Sequence, residues 1–173
     1  MDTKGEELFL LSKYALDFQP YNTAKENVTW ETCSLREWLN NNFYDEAFSS
    51  DEKERIYKIK VHTGDNSKYG TSGGNDTEDK LFLINTNEYE SLREADKKCY
   101  MTEYAKQRTH NNDPEWYEQI INKFGGACGW WLLSPGYNSS CAVCVTGSGS
   151  VIPDGRRVQD NNVGIRPAMW IKK

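Results

Sequence analysis

The sequence predicts an α+β fold in which helices come mostly early and short antiparallel strands come late. Three observations point there. Helix-start patterns recur between Ser34 and Asp113. After Gly129 the apolar residues fall instead into short runs cut by Gly, Ser, Asn and Asp. No low-complexity linker or internal repeat divides the 173 residues, so 1–173 reads as one domain, long enough to bury roughly 70% of its unfolded surface.

Taken in order, Leu8–Leu11 (LFLL) is an apolar run suited to a buried strand. Ser34 with Glu37 has the spacing of a capping box and precedes Leu35, Trp38, Leu39 and Phe43 on one helical face. A short helix is expected over Ser50–Ile56, with Asp51 and Glu52 complementing its dipole. Tyr57–Thr63 alternates like a half-exposed strand. Gly64–Asp79, polar and glycine-rich, is expected to be a long mobile or lid-like loop. Its Asp65, Asp76, Glu78 and Asp79 are hard-cation ligand types, so calcium is a possible cofactor there, although the spacing is not that of an EF-hand.

Leu81–Ile84 (LFLI) is a second buried-strand candidate, followed by a helix capped by Thr86 and running to about Ala95. Another helix is expected over Thr102–Arg108. Asp113-Pro114 is a cap followed by proline at the first helical position, starting a helix that Gly125-Gly126 stops after Phe124. Four strands are expected beyond it, at Trp130–Leu133, Cys141–Thr146, Gly149–Pro153 and Gly164–Ile171.

Composition excludes several function classes. A net charge of −5 argues against nucleic-acid partners, which require clustered Lys and Arg. No run of 18 apolar residues exists to insert in a membrane, and no basic-then-apolar leader opens the sequence. The compartment stays open between a cytoplasmic protein and part of a larger cell-surface or phage protein. Five cysteines at irregular spacings (Cys33, Cys99, Cys128, Cys141, Cys144) suit reduced, partly buried thiols better than a disulfide framework. Cys141-x-x-Cys144 invites a zinc or redox reading, but strand alternation points residues three apart to opposite faces. Only His62 and His110 are available to complete a site, so no metal centre is expected. Metalloprotease, nucleophile-elbow, P-loop and dinucleotide patterns are absent.

The apolar strings GWWLLSPG (Gly129–Gly136) and GIRPAMW (Gly164–Trp170) frame a segment of different composition, Tyr137–Val163. Lys, Glu, Gln, Met and Trp make up 42 of the 173 residues, yet only Gln159 of these types falls in the segment. That contrast suggests a display surface on a fixed scaffold. Tyr137, Arg156 and Arg157 are its candidate binding anchors. Asn138, Ser139, Ser140, Ser148, Ser150, Asp154, Asp160, Asn161 and Asn162 are candidates for adaptable hydrogen bonding. Arg156-Arg157 equally suits a solvated turn after Pro153-Asp154-Gly155. Trp130, Trp131 and Trp170 read as core, and Arg166 as a paired structural residue. A protein interface needs roughly 20–30 residues per side, so a second loop must contribute, and Gly64–Asp79 is the candidate.

Six strings carry a resemblance: LFLLSKYALDFQPYN, TWETCSLREWLNNNFYDEAFSSDEKERI, DKLFLIN, KKCYMTEYAKQR, GWWLLSPG and VGIRPAMW. With them the chain resembles a bacterial and phage family of domains of unknown function, common in gut Firmicutes. Leu133 stands where that family usually has Arg. The closing strings are also similar to the C-terminal strands of C-type-lectin-like folds, a group that includes formylglycine-generating enzymes and the variable proteins of diversity-generating retroelements. The resemblance implies a C-type-lectin-like single domain with no catalytic residues, binding a protein or glycan on another surface. In retroelement systems, randomised adenines turn AAC or AAT codons into NNY codons, which cannot encode the five types depleted between Tyr137 and Val163. The alternatives are a structural module of a larger surface or phage protein, or a copper-dependent oxidase of the formylglycine-generating type. In the oxidase, Cys141 and Cys144 would be the soft ligands.

Overall fold

Brief apolar runs separated by polar residues make the start of the chain a series of short strands. In the computed structural model, which describes residues 3–4 and 7–173, these are β1 (Thr3–Lys4), β2 (Glu7–Leu11), β3 (Tyr14–Ala15) and β4 (Asp17–Phe18). A helical run follows as α1 (Ser34–Trp38), a π-helical turn (Leu39–Phe43) and α2 (Tyr44–Ala47), then α3 (Ser50–Arg55). β5 (Ile59–Val61) and β6 (Thr77–Asp79) pair antiparallel. Next come α4 (Thr86–Glu90), α5 (Glu94–Lys97), β7 (Cys99–Met101), α6 (Glu103–Asn112) and α7 (Pro114–Phe124). The late strands are β8 (Ala127–Cys128), β9 (Trp130–Pro135), β10 (Cys141–Val145), β11 (Val151–Arg157), β12 (Gly164–Ile165) and β13 (Ala168–Lys172). The fold is a mixed α+β single domain, and no described helix extends beyond Phe124. None of these helices is long and apolar enough to cross a membrane.

The main sheet has the order β11-β10-β9-β12-β4, and a second sheet, β1-β2-β13, zips the two ends of the chain together from Leu11↔Ala168 to Glu7↔Lys172. Every residue of β9 is buried. Trp130, Trp131 and Trp30 are fully enclosed, whereas Trp170 is only partly covered and leans on Phe9 at 5.4 Å. Each enclosed indole finds an acceptor, as buried N–H groups require: Trp130 with the Lys97 carbonyl, Trp131 with the Gln19 carbonyl and Trp30 with the Asp79 carboxylate. Arg166 is buried as expected. It is held by the carbonyls of Ser12 and Asp96 and lies over the Trp130 ring, with no carboxylate partner among the described residues.

Several expectations need correction. Ser34 is not a cap: α1 starts after Cys33, which makes no side-chain cap bond. The Ser34 N–H instead donates to Asn22 Oδ1, and its hydroxyl accepts from Thr23 N–H. Capping boxes do form, at Ser49/Glu52 and at Asn85/Glu88, so Asn85 and not Thr86 caps α4. The helix expected to continue to Ala95 breaks after Glu90 and resumes as α5. Leu81–Ile84 is buried but forms no ladder; Phe82 makes one bridge to Ala168, and Ile84 accepts from Leu133 N–H. The run is enclosed by tertiary packing and touches β13 and β9 only through these single contacts, too few for a ladder.

Asp79, at the end of β6, is the only buried residue in the 64–79 stretch that is charged. It accepts from Arg36 Nε at 2.7 Å, Trp30 Nε1 at 2.9 Å and the Thr77 hydroxyl at 2.6 Å. Removing a buried carboxylate strands these donors in the interior. Asp79→Ala is therefore expected to lower unfolding free energy by about 3 kcal/mol. Urea denaturation checks this, and a loss below about 1 kcal/mol would make the cluster ordinary surface polarity.

Candidate functional site

The segment 137–163 is built on backbone hydrogen bonds that its side chains do not supply. Its first turn closes through Gly136 N–H to the Cys141 carbonyl and Cys141 N–H to the Asn138 carbonyl. β10 then pairs with β9 on one side and β11 on the other. Both pairings shift register between Ala142 and Cys144, where the neighbouring strands carry the extra residues. Gly155 sits at φ +77°, and a Cβ there would lie 2.4 Å from the Ala142 carbonyl oxygen. Only glycine lets β11 approach β10 that closely. The segment leaves the sheet through Val158 N–H to the Ser140 carbonyl and rejoins β9 through Gly164 N–H to the Gly129 carbonyl.

Of the twelve candidate residues, Tyr137, Ser148, Ser150, Asp154, Arg157 and Asn161 are exposed, and Asn138, Ser139, Ser140, Arg156, Asp160 and Asn162 are half-buried. The half-buried turn residues are already engaged. Asn138 Oδ1 accepts from both the N–H and the hydroxyl of Ser140, and the Ser139 carbonyl accepts from Val28 N–H. Arg156 pairs with Asp160 at 3.0 Å. Ser148 and Ser150 form a hydroxyl cluster with Thr146 at the β10–β11 turn.

The residues do not share one surface, because β10 and β11 have two faces. Val143, Val151 and Pro153 line a cleft of ≈ 390 Å³ against residues 62–68 and the start of α4. Cys144, Ile152, Arg156 and Asn162 line a smaller cavity of ≈ 160 Å³ against α7. Thr63 lines the first and is 5% exposed with an unpartnered hydroxyl; Asn162 lines the second with an unpartnered buried Oδ1.

The 64–79 stretch does contribute to the first face, but as a pinned loop and not a mobile lid. Buried Asn66 donates from Nδ2 to the carbonyls of Pro135 (2.8 Å) and Pro153 (3.0 Å), while its Oδ1 accepts from Lys68 and Tyr69 N–H. Tyr69 then reaches Asp154 with its hydroxyl at 2.6 Å, and Lys68 pairs with the same oxygen at 2.9 Å. These two hydrogen bonds hold the Asp154 carboxyl below the usual carboxylate range. Tyr69 also meets Tyr137 edge-on, with ring centroids 6.4 Å apart; the two are 40% and 53% exposed. Asn66, Lys68 and Tyr69 were not singled out from sequence. The available signal was a lone aromatic residue in a polar, glycine-rich loop.

The loop's carboxylates do not converge on a cation. Asp79 is taken by Arg36, Asp76 by Lys60 and His62, Glu78 by Lys58, and Asp65 accepts from Gly73 N–H. Among the described residues no three metal-ligating side chains gather at one point. Cys141 and Cys144 are both buried free thiols. Cys144 lines the α7-side cavity, while Cys141 lies two residues from Val143 on the opposite face. A larger groove of ≈ 780 Å³, involving exposed Tyr14 and Tyr100, lies near α6 and α7 and owes nothing to the segment.

Burial pushes the thiols of Cys33 and Cys144 up to about 12 from an ordinary value of 9.0. A thiol whose folded value is raised contributes stability that is intact below about pH 9 and is lost as pH rises toward 12. Native protein at pH 8 is expected to resist iodoacetamide at both positions, read by peptide mass. Melting temperature is expected to fall above pH 9, less steeply in Cys33→Ala/Cys144→Ala. Rapid alkylation of native Cys144 would contradict its burial.

No curated protein and no solved structure matches the chain. Residues 5–173 match the profile of a family described as "Domain of unknown function (DUF6273)", and the chain belongs to that family.

Proposed function

We propose that this domain is a non-catalytic recognition module whose 137–163 segment carries a replaceable ligand-binding surface for a protein or glycan partner. The carrying observation is the separation of labour within the segment. Its path is set by main-chain hydrogen bonds and by the β9–β10–β11 pairing, while Tyr137, Ser148, Ser150, Arg157 and Asn161 project outward. Side chains that do not hold the backbone can be exchanged at small cost, typically within about 0.5 kcal/mol each. Asp154 joins Tyr137 on the loop-side face through Tyr69 and Lys68.

A C-type-lectin-like arrangement and a role as the variable protein of a diversity-generating retroelement fit this reading. The depletion of Lys, Glu, Gln, Met and Trp in the segment supports them, as does the succession of early helices and late antiparallel strands. The retroelement role predicts a near-copy of the Gly129–Trp170 coding region beside a reverse-transcriptase gene, differing only at adenines. A genomic neighbourhood without one would remove that role and leave a fixed-specificity binder.

The binding role has its own test. Tyr137→Ser, Arg157→Ser and Asn161→Ser, singly and combined, are expected to leave the melting temperature within a few degrees of the parent. The same variants are expected to change which members of a protein and glycan array are retained. If any of the three substitutions unfolds the domain, the segment is structural and the proposal fails.

A further inference from the structure

The cavity between α7 and the β10–β11 pair points to a more specific occupant. We propose that it is an anchor pocket for one aromatic side chain of a protein partner, a tyrosine or tryptophan that brings its own hydrogen-bond donor. The inference rests on the recognition reading above and assigns that module a partner chemistry.

Size comes first. The cavity has a volume of ≈ 160 Å³, comparable to apolar cavities of about 150 Å³ that admit a benzene ring. Its walls are hydrocarbon: Trp116, Ile120 and Phe124 on α7, with Ile152 and Val163 from the segment and the floor made by Val145. Trp116 is itself braced edge-on by Phe18 at 5.3 Å, so that wall is backed by a second ring. An aliphatic or aromatic group is the only class that such walls favour.

Polarity then narrows the choice. Asn162 Oδ1 lines this space, is shielded from solvent and has no donor among the described residues. A buried amide oxygen left unpaired is a standing cost that a suitable ligand removes. Water is a poor substitute, because it needs two to four polar partners and the surrounding walls are mostly apolar. A phenylalanine ring would match the walls and leave Asn162 unpaired. A phenol O–H or an indole N–H satisfies both. Arg156 stands at the rim, half-exposed, with only its Nε committed to Asp160. Its planar guanidinium is suited to cover the face of an incoming ring.

The location ties the pocket to specificity. Ile152, Arg156, Asn162 and Val163 come from the segment, whereas Trp116, Ile120 and Phe124 come from the fixed helix. These four, like the other segment residues at the cavity (Cys144, Val145, Thr146 and Gly147), are of types that NNY codons encode, so exchange there would change which side chain is accepted.

The experiment titrates the full chain, labelled with ¹⁵N, with the N-acetyl amides of tyrosine, tryptophan and phenylalanine. Saturable shifts are expected at the Trp116 indole and at Val145 and Val163. The tyrosine or tryptophan amide is expected to bind about tenfold more tightly than the phenylalanine amide. Asn162→Leu is expected to erase that preference while the domain stays folded, and Ile152→Phe, which fills the space, to abolish binding. Equal binding of all three amides, a preference that survives Asn162→Leu, or no saturable shift would overturn the proposal. So would self-association abolished by Ile152→Phe, which would place a second copy of this chain in the pocket. Failure of the amides to bind, with Tyr137→Ser and Arg157→Ser thermally silent, removes the anchor alone. Unfolding of those variants removes the recognition reading instead.

Discussion

Enclosing two adjacent indoles in one strand constrains almost everything else in the domain. Trp130 and Trp131 are consecutive in β9, so their rings enter opposite faces of the main sheet. Each must be covered, and each N–H must find an oxygen there. Trp130 takes the carbonyl that ends α5, and Trp131 takes the carbonyl just after β4. Two further bonds extend the same logic along the strand. The Leu133 carbonyl accepts from the buried Tyr21 hydroxyl, and Ser134 Oγ accepts from Thr86 at the start of α4. Segments distant in sequence are thus located by the needs of one buried strand.

That dependence explains why the 137–163 segment can hang from β9 without help from its exposed side chains. β10 is short, buried throughout and composed of small residues, Cys-Ala-Val-Cys-Val. It carries the packing, and β11 beyond it is an edge strand with a free flank. Pro153 and the Gly155 bend interrupt that flank, which keeps an exposed edge from recruiting another strand.

Much of the architecture was legible because its signals are local. The Asp113-Pro114 start and Gly125 stop of α7 follow from cap chemistry, with Asp113 accepting from Trp116 N–H and Gly125 at φ +61°. The late strands follow only in part from apolar runs cut by turn residues: β11 runs on through Pro153-Asp154-Gly155 to Arg157, and the run expected over Gly164–Ile171 divides at Arg166-Pro167 into β12 and β13, which join different sheets. What escaped was tertiary. Nothing near Ser34 in sequence says that Asn22 will satisfy the helix end. Nothing in LFLI distinguishes a buried coil from a strand, since both are short apolar runs. The stretch 64–79 looked like one mobile loop by composition, yet its end pairs as β6 and the single side chain of Asn66, reaching two carbonyls on β9 and β11, pins the rest. The candidate residues were recognisable as a group, but their division between two sheet faces was not. It depends on where β9 and β11 carry extra residues opposite β10.

The two faces have different physical characters, and that difference bears on how one segment can serve recognition. On the loop side, Tyr137, Tyr69, Asp154 and Lys68 form an exposed cluster in which the ion pair is screened by solvent. Such a surface tunes encounter and orientation more than affinity. On the α7 side, the cavity is lined mostly by apolar side chains around one unpaired amide oxygen, and in the proposed role a correctly filled pocket of that kind is where binding energy concentrates. Under the proposed recognition role, exchanging Tyr137 and Arg157 alters partner choice gradually, whereas exchanging Asn162 or Ile152 switches the chemistry of the proposed anchor. The 141–145 run is buried throughout, so larger side chains there would have to enter the packed interior or the cavities that Val143 and Cys144 line. Under the proposed role, exchange of side chains is confined to the segment's turns, its edge strand and the 159–162 approach to β12.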